Sequence, residues 1–342
     1  MTVRMKDVAR RAGVSIATVS NVINRPELVA EGTVQRVRAV IADTGFVRNG
    51  SARQLRAGSS PVVSVLVPEI SNPFFAELIR GVESRAAAED LSVFVCTSHG
   101  DTDREERYLH SVLEQRPLGL ILTPAGPLDG VLEVLDGRLP IVLVDRESSG
   151  EQCSVAVDDF RGGGVAVQHL AELGHRRISW VVGPDSIPQC AQRTAGVMYA
   201  AERLGVRIDR VEVETMTVAD GRSAGSALAR GRPPTAVVCA NDLLALGVEL
   251  ALLGEGVGVP ERTSIVGFDD IEFASAAAVT LTSVARPAAP LGATALEMLL
   301  DEQRASDHRH RQVQFQPTLQ VRQSTAPPWH PAKGRAAATK RR

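Results

Sequence analysis

From Met5 the chain reads MKDVARRAGVSIATVSNVIN, and Met5, Val8, Ala9 and Ala12 fall on one side of a 3.6-residue helix. Gly13 follows, where glycine adopts a left-handed turn without steric cost. Ser15 is a good N-cap for a second helix, Ile16 to about Asn24, with Val19, Val22 and Ile23 on its inner side. A third amphipathic stretch, about Glu31 to Thr44, turns Val34, Val37 and Ile41 inward. Ala30, directly before that stretch, has no capping side chain, which costs the helix about 1 kcal/mol of local stability. Two helices across a tight turn, backed by a third, describe a helix-turn-helix.

Beyond the short linker Gly58-Ser59-Ser60-Pro61 the period changes. Short apolar runs of strand type occupy Val62–Val67, Leu91–Cys96, Leu118–Leu122, Ile141–Val144, Ile178–Val182, Ala236–Cys239 and Ser264–Val266. Helical stretches between them include Phe74–Ala88, Thr102–Gln115, Phe160–Leu173 and Asp242–Leu252. Such alternation predicts α/β architecture with doubly wound parallel sheets. The length of this region favours two Rossmann-like lobes with a ligand cleft between them. The expected organisation is a DNA-binding head (1–47), a hinge and linker (48–60), a two-lobed body that binds an effector and dimerises (61–323) and a disordered basic tail (324–342).

Composition adds polarity to this outline. Residues 1–60 carry ten Lys/Arg against four Asp/Glu, and 324–342 carry five basic groups and no acid. The stretch 61–323 has 23 Lys/Arg against 36 Asp/Glu. A basic head on an acidic body implies that the head alone meets a polyanion. No apolar run is long enough to span a membrane, and the first residues lack the apolar core of a signal peptide, so a cytoplasmic protein is expected. Cys96, Cys153, Cys190 and Cys239 lie far apart without a CxxC pair. Free thiols are the expectation, with no cofactor and no metal site.

The second helix exposes Ile16, Ala17, Ser20, Asn21 and Asn24, beside Ser15 and Thr18, rather than the Glu/Lys mix of a solvated helix in a plain three-helix bundle. Such a face suits the major groove, where Asn bonds adenine and Ala or Ile touches a thymine methyl.

At this point a resemblance becomes specific. The run is similar to the signature xDVAxxAGVSxxTVSxVIN of the lactose-repressor (LacI) family, and the likeness continues through Asn49-Gly50-Ser51-Ala52-Arg53-Gln54-Leu55-Arg56. The resemblance implies that this last stretch is a hinge helix whose Leu55 enters the minor groove of operator DNA, with Ala52, Arg53 and Arg56 beside it. The family usually leads into the hinge with Tyr-x-Pro-Asn, whereas this chain has Phe46-Val47-Arg48-Asn49. In the body, VVSVLVPEISNPFF, GHRRISWVVG, NDLLALG and SIVGFDD resemble the effector-binding half of such regulators, itself similar to periplasmic sugar-binding proteins. The resemblance implies a cleft lined by Asn72, Phe74, Phe75, Asp145, Arg146, Arg193, Asn241 and Asp269, and two further cleft positions depart from the sugar-binding pattern: Met216 stands where the family often has an aromatic wall, and Arg286 where it often has Gln before Pro. Aromatic faces suit the C–H surface of a sugar, and Asp, Asn and Arg suit its hydroxyls. Each also has an ordinary structural use, as helix cap, strand-end ion pair or core residue. With Arg286 in the cleft, three arginines would meet two aspartates, and an anionic ligand such as a sugar phosphate becomes an expectation to test. The implied protein is a ligand-responsive regulator, in the usual case a repressor. It would be a homodimer, since no tetramer-forming leucine heptad is present, with a near-palindromic operator and a sugar, sugar derivative or nucleoside as partners.

Two other classes compete. A simple solute-binding protein would not need the basic head. A hydrolase could be read from Gly221-Arg222-Ser223-Ala224-Gly225, with Gly162–Gly164 as an oxyanion loop, but a nucleophile elbow needs a buried strand directly before it. His175, in a turn before a strand, is expected to make a structural hydrogen bond.

Overall fold

The computed structural model describes residues 3–46, 60–146, 148, 150–230, 233–305 and 307–329, so the proposed hinge residues Ala52, Arg53, Leu55 and Arg56 lie outside it. Two compact units divide the chain between Ser60 and Pro61. The first holds α1 (Met5–Ala12), α2 (Ile16–Asn24) and α3 (Glu31–Thr44). Val8, Ala9, Ala12, Val19, Val22, Val34 and Val37 close its core. Gly13 takes the left-handed conformation (φ 67°) that the α1–α2 turn demands. Ser15 Oγ accepts the Thr18 amide at 3.0 Å, capping α2. At the start of α3, Ala30 provides no cap.

The second unit begins with β1 (Val62–Val67), α4 (Pro73–Ala87), β2 (Ser92–Thr97), α5 (Thr102–Gln115), β3 (Gly119–Leu122), α6 (Leu128–Leu135), β4 (Ile141–Val144) and β5 (Cys153–Val157). The chain then builds another lobe from α7 (Asp159–Glu172), β6 (Arg177–Val182), α8 (Pro188–Leu204), β7 (Arg207–Glu212), α9 (Val218–Ala229), β8 (Ala236–Cys239), α10 (Asp242–Gly254), β9 (Ser264–Asp269), α11 (Glu272–Ala276) and β10 (Thr282–Ala285). It returns to the first lobe for α12 (Ala288–Arg304) and β11 (Gln312–Phe315), and ends in the second with β12 (Thr318–Gln320). Two six-stranded sheets result, β11-β5-β4-β3-β1-β2 and β12-β10-β9-β8-β6-β7. Their ladders are parallel except for β12, which runs antiparallel to β10. The chain passes between lobes three times, after β5, after β10 and after β11. The central strands are apolar runs because both sheet faces are covered by helices.

One expectation is corrected. Residues 324–329 of the expected disordered tail are packed: Ser324 is buried and its Oγ donates to the Ile265 carbonyl at 2.6 Å. Its carbonyl accepts the Ile265 amide at 2.8 Å, and the Arg262 guanidinium lies over the Trp329 ring. Hydrogen bonding to a strand start needs no apolar periodicity, so composition could not reveal it. The hydrolase reading also fails on geometry. Gly221–Gly225 lies inside α9, where Gly221 lets the helix approach the Leu244 backbone of α10, and Ser223 Oγ donates to the Ala219 carbonyl at 3.1 Å. His175 is buried, bonding Thr235 Oγ1 and the Ala326 carbonyl, each at 3.0 Å.

Candidate functional site

The polar centre of the body forms where strand ends from both lobes meet the second crossover. Asp145 follows β4, and Asp269 ends β9. Both hold left-handed backbone, with φ of 58° and 107°, which a non-glycine residue adopts only where its surroundings hold it. Arg286, just past β10, reaches both: its Nη1 donates to Asp269 Oδ1 at 3.0 Å and its Nη2 to Asp145 Oδ1. Arg193, one turn into α8, donates from Nε to Asp159 Oδ1 at 2.8 Å and from Nη1 to the Ala240 carbonyl. Each guanidinium also lies on an aromatic face, Arg193 over Phe268 at 3.9 Å and Arg286 over Phe74 at 4.0 Å. Gln189 Nε2 donates to Asp145 Oδ2 at 3.1 Å. All five charged side chains are buried.

This arrangement alters the charge census. Arg146 stands apart, within 3.4 Å of the Gly126 carbonyl, while Asp159 joins the network. Two guanidiniums therefore face three carboxylates, not three facing two, and the surplus is negative. Burial pushes the Asp145 and Asp269 carboxyls above the usual range, and the nearby arginines only partly offset it. Burial opposes the charge of Arg286, but Asp145, Asp159 and Asp269 outweigh it and hold that residue firmly cationic. Nε of Arg286 is buried without a hydrogen-bond partner among the described residues. Such an open donor is costly unless a ligand oxygen accepts from it.

Two cavities flank the network. One of about 700 Å³ is lined by Phe74, Glu77, Arg80, Asp270, Glu272 and Arg286, among others. Another of about 200 Å³ lies against Asp145, Arg146, Asp158, Gln189 and Gln192. Of the sequence-derived candidates, Phe74, Asp145, Arg193, Asp269 and Arg286 are thus brought together. Asn72 instead caps α4, accepting the Phe74 amide at 3.0 Å. Asn241 caps α10 and donates to the Met216 carbonyl at 3.0 Å. Phe75 is core, edge-on to Phe74, and Met216 packs on Cys190. Asp159, Gln189 and Gln192 were missed. Asp159 follows Asp158, which is the actual N-cap of α7, so a second aspartate there reads as an ordinary first-turn acid.

Asp242, at the start of α10, is a further buried carboxylate, bonded by Ser283 Oγ at 2.6 Å and the Ile271 amide at 2.9 Å. Burial and the charge of Asp269 raise its pKa well above the usual value. An acid whose folded pKa is raised binds extra protons when folded, so its stabilisation is full below its unfolded pKa and is lost as pH rises through the folded one. Asp242→Asn is therefore expected to raise stability at pH 8 relative to the parent and to lose that advantage near pH 4. Urea unfolding at the two pH values tests this, and an advantage that grew on acidification would refute the assignment.

On the head, Ile16, Ala17 and Asn21 of α2 are exposed. Thr18 bonds Ser15 Oγ at 2.9 Å, and Asn24 Nδ2 donates to Ser20 O at 2.7 Å and to Ser20 Oγ at 3.2 Å. The helix thus spends part of its polar surface on itself and presents a mostly small, neutral face.

Comparison with known proteins places this geometry. A family model described as bacterial regulatory proteins, lacI family, matches residues 4–49, and one for a periplasmic binding protein-like domain matches 167–325. The HTH-type transcriptional repressor PurR of Aliivibrio fischeri is 31% identical over 330 residues, covering 94% of this chain and 98% of that protein. The crystal structure of the Lac repressor dimer bound to operator and an anti-inducer superposes with TM-score 0.82 at 27% identity, covering 95% of this chain and all of that one. A LacI family transcriptional regulator from Enterococcus faecium with bound ribose gives TM-score 0.72 at 29% identity over 78% of this chain and 99% of that one. A helix-turn-helix followed by two crossover-linked parallel-sheet lobes, in a chain this similar along its length to a known repressor, belongs to the lacI family of bacterial transcriptional regulators.

Proposed function

We propose that the chain works as a cytoplasmic homodimer that represses transcription from a near-palindromic operator and responds to a neutral, hydroxyl-rich effector, a sugar or nucleoside. It is read as a regulator and not as a catalyst. The observation that carries this reading is the buried network of Arg286 with Asp145 and Asp269, which ties residues of both lobes to a crossover. An effector entering either flanking cavity competes for those same groups and so changes the contact between lobes. The negative surplus of the network favours hydroxyl donors and disfavours anions, against the expectation of a sugar phosphate. In this reading Ile16, Ala17 and Asn21 meet the major groove, Ser15 and Thr18 lie at the helix start near the phosphates, and Leu55 with Ala52, Arg53 and Arg56 acts as the minor-groove hinge.

Coupling requires that the effector bind the two lobe arrangements with different affinity, and it must act reciprocally on DNA binding. Calorimetry against neutral sugars and nucleosides, with their phosphates in parallel, is expected to find binding among the neutral compounds. That compound should then shift operator affinity by about 5–150-fold in a fluorescence titration. Tight binding confined to the phosphates, or a bound effector without effect on DNA, would sink the proposal.

A further inference from the structure

Cys153 opens β5, Glu302 lies in the last turn of α12, and His308 and His310 lie on the stretch leading into β11. One sulfur, two imidazole nitrogens and a carboxylate oxygen from these residues all lie within 4.8 Å of one another. Cys153 Sγ is 3.1 Å from His308 Nε2 and 3.8 Å from His310 Nδ1. Tetrahedral zinc, with bonds of about 2.3 Å to sulfur and about 2.0 Å to nitrogen, sets those atoms roughly 3.5 Å apart. The two observed separations bracket that edge. Glu302 Oε2 is buried with no hydrogen-bond partner among the described residues, an orphaned acceptor that a metal bond would satisfy.

We propose that Cys153, Glu302, His308 and His310 form a four-ligand zinc(II) site that fastens the start of β5 to the connection between α12 and β11. The donor set selects the ion: thiolate and imidazole suit zinc, whereas magnesium and calcium require oxygen ligands. Four protein ligands close the tetrahedron and leave no open position, which makes the site structural rather than catalytic. His308 and His310 are two residues apart, and in extended chain that spacing turns both toward one side. Their rings stand edge to face, 5.5 Å apart. Glu302, His308 and His310 lie along the chain between the second and third crossovers, whereas Cys153 lies before the first.

The test uses the full chain without an affinity tag and zinc chloride alone, in competition with a chromophoric chelator. One tight equivalent per chain is expected, with a rise in thermal midpoint. Loss of an outer partner alone weakens metal sites by about 10–100-fold, so Cys153→Ser and His310→Ala should each weaken binding by at least about 100-fold. His310 is exposed, so its replacement leaves the fold intact and its zinc-free melting curve should match the parent. Cobalt(II) loading should give a thiolate-to-metal charge-transfer band that Cys153→Ser abolishes. Zinc binding no tighter than a surface histidine's, or equal in parent and both variants, overturns the site.

Discussion

Arg286→Met is expected to destabilise the body by about 3–5 kcal/mol at neutral pH, because it removes one partner of a buried ion network and leaves the others uncompensated. Arg286 is hydrogen-bonded to Asp145 and Asp269 and lies within 4.0 Å of Asp159. The loss should depend on pH in a definite direction. Asp145 and Asp269 already have folded pKa values raised by burial, so their contribution falls as pH rises above the unfolded carboxylate range. Without Arg286 those values rise further and the fall extends to higher pH. The gap between parent and variant should therefore be larger at pH 8 than at pH 5. Urea titration followed by fluorescence of the buried Trp180 measures it. A gap under about 1 kcal/mol at pH 8 would mean that the network is not what holds the lobes. Effector binding should be lost as well, since the same guanidinium offers the open Nε donor.

The parts of this molecule that were legible in its sequence are those whose local chemistry and global role agree. α1, α2 and the turn at Gly13 follow from helical periodicity, a left-handed glycine and a serine cap. β1, β4, β8 and β9 follow from apolar runs that only a doubly covered sheet can bury. β7 was not legible, because its run Arg207–Glu212 is a charged, half-exposed edge strand. Nor was α12, whose opening Ala-Ala-Pro lacks helical periodicity and a capping side chain. In the site, Asp145, Arg193, Asp269 and Arg286 were legible through the family resemblance and their strand-end placement. Asn72 and Asn241 share that placement but cap helices, and nothing in sequence separates an amide that caps from one that binds. The zinc ligands were invisible for a different reason. Cys153 and His308 are 155 residues apart, joined only by the return of α12 and β11 to the first lobe.

Residues 61–342 alone are expected to keep effector binding and to lose operator binding entirely. The body is a compact unit without the head, and its two sheets, three crossovers and buried network all lie within it. Its stretch 61–323 has 23 Lys/Arg against 36 Asp/Glu, so phosphate repels it. The five Lys/Arg after Gln323 can supply only sequence-independent attraction, which rising salt removes. Specific recognition in such proteins exceeds non-specific binding by about 10³–10⁷-fold, and on this reading that whole factor belongs to residues 1–60. A single change dissects it: Asn21 is exposed on α2, and Asn21→Ala should cost about 1–3 kcal/mol on the operator with little change on random DNA. Ile16→Ala should cost less, since only contact with a methyl is lost. Because few long hydrogen-bonding side chains stand on that face, more of the specificity falls to groove shape and to the bend that Leu55 would enforce. Leu55→Ala should then weaken operator and random DNA unequally, most on the operator. Fluorescence anisotropy over a salt series separates these terms, and a truncated 61–342 that still binds operator specifically would overturn the assignment of the head.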